Sequence, residues 1–171
     1  KYAPEIWGKI CRLPFMVAIG MEGAGKSGLA GSASERKATM QTILEASTEY
    51  PGNPLVGSIL PAQENEQALA LVMQKHDAAL DFLASSGIRT SEGLWERILD
   101  CIREVIPVLE TREAGHTISD YMAWLTQIAE QVALAAKEGD FMGIGGSRFS
   151  DQEMEQFRRL QAVLKEFDRT S

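Results

Sequence analysis

Phe15-Met16-Val17-Ala18-Ile19-Gly20-Met21-Glu22-Gly23-Ala24-Gly25-Lys26-Ser27 is the stretch whose conformation decides the fold. Residues 20–27 match G-x-x-x-x-G-K-[ST] letter for letter, and the apolar run 15–19 precedes them as a strand would. In a phosphate-binding loop the backbone amides cradle phosphates, the lysine reaches the terminal ones, and the hydroxyl ligates Mg²⁺. On that reading Gly20, Gly25, Lys26 and Ser27 form a nucleotide site hung from a parallel sheet. On the other reading the same run is the apolar end of a helix that begins near Pro4.

The flanking sequence favours the helix. A phosphate loop needs a helix starting at its lysine, yet Gly28, Gly31 and Ser32 follow Lys26. No later strand ends in an aspartate that could hold Mg²⁺. The candidates, Ile98-Leu99-Asp100 and Ala79-Leu80-Asp81, sit inside helical stripes. Apolar residues recur every three or four positions: Trp7, Ile10, Leu13 and Val17; Met40, Ile43 and Leu44; Leu69, Val72, His76, Leu80 and Leu83. They continue through Leu94, Ile98, Cys101, Val105 and Leu109, then Tyr121, Leu125, Ile128 and Val132, then Met154, Phe157, Leu160, Leu164 and Phe167. This spacing predicts helices near 4–22, 35–50, 63–86, 90–109, 117–138 and 150–167, with a short turn at 55–60. Pro14 predicts a break or kink in the first, and Pro107 a bend or end in its own helix. Residues 1–171 are expected to form one all-α domain, a bundle of six or seven helices.

Composition sets limits on function. The 171 residues are 44% hydrophobic and 24% charged, an ordinary globular balance. Seventeen Lys and Arg face 24 Asp and Glu, a formal net charge of -7. A surface short of cations argues against a nucleic-acid or anionic-membrane binder. No apolar run reaches the roughly 20 residues of a membrane span. A signal-peptide pattern is not seen either, so a cytoplasmic protein is expected. Cys11 and Cys101 lie far apart on apolar stripes and read as free thiols. His76 lies on a stripe and His116 in a linker, so they read as core or surface histidines. No catalytic constellation emerges from the spacing.

The two ends of the chain resemble one another. Val17-Ala18-Ile19, Glu22-Gly23, Gly28 to Ser32 and Ser34-Glu35 align with Val132-Ala133-Leu134, Glu138-Gly139, Gly143 to Ser147 and Ser150-Asp151, at an offset of 115 or 116. Ser32-x-x-Glu35 and Ser150-x-x-Glu153 are capping boxes, in which serine and glutamate satisfy free amides at a helix start. Repeat halves of roughly 4–50 and 117–168, related by a pseudo-two-fold, are expected.

Glu22 and Glu138 end helices, where the dipole disfavours negative charge and a cation would offset it. Glu35 and Glu153 begin the next helices, and Asp140 and Asp151 could add oxygens in the second half. Such oxygen-rich corners suit hard divalent cations. Alternatively, Glu35 and Glu153 only cap helices while Glu22 and Glu138 point into solvent. Phe141, Met142 and Ile144 are apolar loop residues that would bury against the core or in a homodimer or other protein contact.

Val132-Ala133-Leu134-Ala135-Ala136-Lys137-Glu138-Gly139 followed by Ser150-Asp151-Gln152-Glu153 resembles the TerB-like tellurite-resistance proteins, and 17–23 with 32–35 is a looser copy. The resemblance implies an all-helical, internally repeated, cytoplasmic bacterial domain without catalytic chemistry. It also implies a metal-linked role in tellurite resistance and stress response, with Glu22, Glu35, Glu138 and Glu153 as the acidic positions. This chain has Glu where the family usually has Asp before Gly, and its loops are longer. The expectation is thus a non-enzymatic domain with a divalent cation at its acidic corners. The alternatives are a phosphate-loop nucleotide-binding protein and a helical interaction module without a ligand.

Overall fold

The computed structural model describes residues 1–24, 33–61, 63–138 and 149–168, without the side chains of 33–35 and 136–138. Among the described residues the elements are α1 (Pro4–Gly23), α2 (Ala33–Thr48), α3 (Pro54–Ile59), α4 (Glu66–Ser85), α5 (Ser91–Glu110), α6 (Gly115–Glu138) and α7 (Asp151–Phe167), with no strand. The all-α expectation holds, and none of these helices is long and apolar enough to cross a membrane.

The deciding stretch is helical. Residues 15–19 lie in the second half of α1, and every residue of 13–23 is buried. A short apolar run cannot be assigned to strand or helix by periodicity alone. Here it is apolar all round because the helix is wrapped all round. α5 and α6 flank α1, and α4 and α2 cover it further. The strand that would carry a phosphate loop is therefore replaced by a helix, and Gly20 sits inside it.

Neither internal proline ends its helix: Pro14 lies within α1 and Pro107 within α5. A proline at 14 deprives the carbonyl of residue 10 of its i→i−4 donor. The buried Tyr121 hydroxyl replaces that donor, reaching the Ile10 oxygen at 2.8 Å. At the end of α1 the last four carbonyls again lack helical donors. The Trp95 indole nitrogen donates to one of them, that of Gly20, at 3.2 Å. α1 is thus anchored from α6 and from α5.

Side-chain caps set the other boundaries. Asn53 accepts from the amides of Leu55 and Val56 at 2.9 and 3.0 Å, starting α3. Its amide nitrogen donates to the Thr117 carbonyl at 3.1 Å and the Asp120 carboxylate at 3.2 Å, tying α3 to α6. Asn65 caps α4 and Thr90 caps α5. After α4, Gly87 adopts φ 74°, and the Gly87 and Ile88 amides bond the Ala84 and Leu83 carbonyls. This is the glycine-terminated Schellman arrangement, which needs the left-handed conformation.

Helix, connection, helix recurs at both ends, as α1 with α2 and α6 with α7. Their surroundings differ: α2 packs along α6 and α4, whereas α7 packs along α5 and α6.

Candidate functional site

The last turn of α1 meets α2 and α4 at three buried polar side chains. Glu22 is 8% exposed, Thr39 4% and His76 0%. His76 is there because it follows Val72 by four positions on the apolar face of α4, which turns it inward. The Thr39 hydroxyl donates to Oε1 of Glu22. The other carboxylate oxygen, Oε2, lies 3.7 Å from Nε2 of His76. On the far side of the ring, Nδ1 lies 3.6 Å from the carboxylate of the exposed Asp77. Both separations exceed a hydrogen bond, and neither ring nitrogen has a hydrogen-bond partner among the described residues. A buried polar group without a partner costs about 1–3 kcal/mol. No lysine or arginine among the described residues pairs with Glu22.

Glu22 therefore does not point into solvent, the alternative that the sequence left open. Its position in the last helical turn, next to residues packed on every side, forces the carboxylate inward. Glu153 behaves differently. Its carboxylate accepts from the Ser150 amide at 2.7 Å, and its own amide donates to the Ser150 hydroxyl at 3.2 Å. The second capping box is thus present, with Glu153 committed to it. Asp151 is exposed in the first turn of α7, where the helix dipole favours negative charge.

Glu35 lies in α2 and Glu138 ends α6, but their side chains are outside the described residues. Asp140, Gly25, Lys26, Ser27, Phe141, Met142, Ile144 and the Ser32 half of the first capping box are also outside them. Among the described residues, no three His, Cys, Asp or Glu side chains converge at metal-binding distance. What the sequence reading missed is His76 as a neighbour of Glu22, together with Thr39. The available signal was a histidine on an otherwise apolar face.

Other features lie apart from this cluster. Cys11 and Cys101 are free thiols, the latter buried. Trp95 and Trp124 are fully buried. Tyr2 and Trp7 stack with ring centroids 5.8 Å apart beside a 480 Å³ cleft that Pro54, Leu55 and Glu113 also line. No protein-family model, curated protein or solved structure matches the chain.

Proposed function

We propose that the chain is a non-enzymatic helical domain of the TerB-like kind that takes up a divalent cation at its first acidic corner, Glu22. The observation that carries this reading is a carboxylate 8% exposed whose ion-pair contact among the described residues is with the buried His76 ring, at 3.7 Å, and not with a lysine or arginine. Buried charges are ordinarily paired or bound to metal. A cation would also offset the unfavourable charge that Glu22 adds at the C-terminal end of α1. The helix–connection–helix order at both ends and the Ser150–Glu153 box support the TerB-like part of the proposal. Tellurite resistance and stress response follow as the biological setting from the same resemblance.

The experiment is a thermal-shift series on chelator-treated protein with Ca²⁺, Mg²⁺, Mn²⁺ and Zn²⁺. At least one ion should raise Tm, and Glu22→Gln should remove the rise. No stabilisation by any of the four ions rejects the reading. Calorimetric titration with Mg²⁺-ATP or Mg²⁺-GTP is the second control. Micromolar binding abolished by Lys26→Ala would establish the nucleotide alternative in its place.

A further inference from the structure

We propose that the cleft between the first two turns of α1, the start of α3 and the α5–α6 connection binds a small organic amine as its ammonium ion, with the charge paired to Glu113 and a ring-sized apolar body against Trp7, Pro4, Pro54 and Leu55. The cleft has a volume of 480 Å³. Small-molecule sites usually measure about 300–1,000 Å³ and are apolar with a few polar groups. Pro4 and Trp7 stand one turn apart on α1, and Pro54 and Leu55 open α3. Asn53 fixes the α3 wall, since its side chain both caps that helix and bonds the Thr117 carbonyl of α6. Opposite, the Glu113 amide bonds the Leu109 carbonyl at 2.8 Å, which holds the residue just past the end of α5. Its side chain is 8% exposed.

The chain's own contacts show which chemistry suits this place. The Lys1 ammonium lies 2.7 Å from Oε1 of Glu113 and 5.8 Å from the centre of the Tyr2 ring. A cation beside a carboxylate and near an aromatic ring gains from both. Tyr2 also donates to Oε1 of Glu113, and its ring stacks on Trp7. Burial alone would raise the Glu113 carboxyl, but hydrogen bonds from Lys1 and Tyr2 hold it below its ordinary value, so it is an anion near pH 7. The Lys1 side chain is 57% exposed, and an ion pair so open to water holds weakly. Lys1 is therefore a displaceable stand-in for a ligand ammonium. Arg112 is exposed and donates to the Lys1 carbonyl at 2.5 Å. The polar side chains of the lining are those of Lys1, Tyr2, Ser58 and Glu113. One carboxylate and two hydroxyls are few oxygens for a hard metal ion, whereas an organic ammonium needs one anion and apolar walls. A lysine-like butyl stem would leave much of the cleft unfilled, which favours a ring-sized body. The formal net charge of -7 draws cations to the surface.

The test titrates the full chain with phenethylammonium, followed by calorimetry and by the indole N–H resonances. The Trp7 resonance should move, and those of the fully buried Trp95 and Trp124 should not. Glu113→Gln should weaken binding by about tenfold or more, the loss of a charge-assisted hydrogen bond. Lys1→Met removes the competing ammonium and should tighten binding about two- to fivefold. Phenethyl alcohol, which keeps the body and lacks the charge, should bind about tenfold more weakly or worse. Nα-acetyl-lysine amide should also bind more weakly than phenethylammonium. If Glu113→Gln does not fold, the comparison of ammonium with alcohol on the wild-type chain decides. Equal binding of the alcohol, or an unmoved Trp7 resonance, overturns the ammonium site. A lysine amide that binds as tightly makes the occupant a protein side chain and overturns the small-amine assignment.

Discussion

The Tyr121 hydroxyl donates to the Ile10 carbonyl at 2.8 Å, the acceptor that Pro14 leaves without a helical donor. One side chain on α6 thereby repairs a defect that the sequence builds into α1. It lets a proline sit inside a helix that the rest of the bundle surrounds.

Tyr121→Phe keeps the ring and removes the donor. Because the Ile10 carbonyl would remain buried, the variant should lose about 1–3 kcal/mol in urea unfolding. A loss within about 0.5 kcal/mol, the range of an ordinary surface change, would show that the contact does not support the proline.

Two buried tryptophans provide a matched comparison. The Trp95 nitrogen donates to Gly20, whereas the Trp124 nitrogen has no hydrogen-bond partner among the described residues. Replacing either by Phe removes the same atoms. Trp95→Phe should therefore be the more destabilising by about 1 kcal/mol, the value of the hydrogen bond. Equal losses in chemical denaturation would contradict that assignment.

Gly20 is a packing glycine as much as an acceptor. A Cβ there would stand 3.0 Å from Trp95 Cε2 and Cζ2 and from Ile98 Cδ1. Both side chains are fully buried and have little room to move. Alanine is the better helix former by about 1 kcal/mol, but overpacking a core costs about 1–3 kcal/mol. Gly20→Ala should lower Tm, and a stabilised variant would mean that α5 yields freely.

Ser150→Ala removes the hydroxyl that accepts from the Glu153 amide. The expected cost is about 1 kcal/mol, with faster amide exchange in the first turn of α7. Unchanged exchange at Glu153 would show that the cap does not hold the helix start.

Burial pushes the Cys101 thiol up to about 11 and raises that of Cys11 as well. Native protein at pH 8 should react slowly with a thiol reagent at both positions, and unfolding in guanidinium should release both. The sign follows from the raised value in the folded state. The unfolded chain gives up its thiol proton first, so this contribution to stability falls as pH climbs from 9.0 towards about 11. Rapid labelling of Cys101 in folded protein would contradict its burial.

The sequence by itself determined most of the secondary structure. Three- and four-residue spacing marked the helices, and the Ser150–Glu153 box marked the start of α7, because these signals are local. It also identified the phosphate-loop match as out of context, since glycines and serines follow Lys26 where a helix should start. Tertiary structure decided the rest. Whether residues 15–19 were strand or helix depended on neighbours that enclose α1 on all sides. Pro14 was readable as a defect, but its remedy, Tyr121, lies 111 residues from the Ile10 carbonyl it bonds. Glu22 was visible as an acidic helix end, yet its burial and its companions came from α2 and α4. His76 and Thr39 meet it only because packing brings three helices together, and no local spacing encodes a contact between residues 22 and 76.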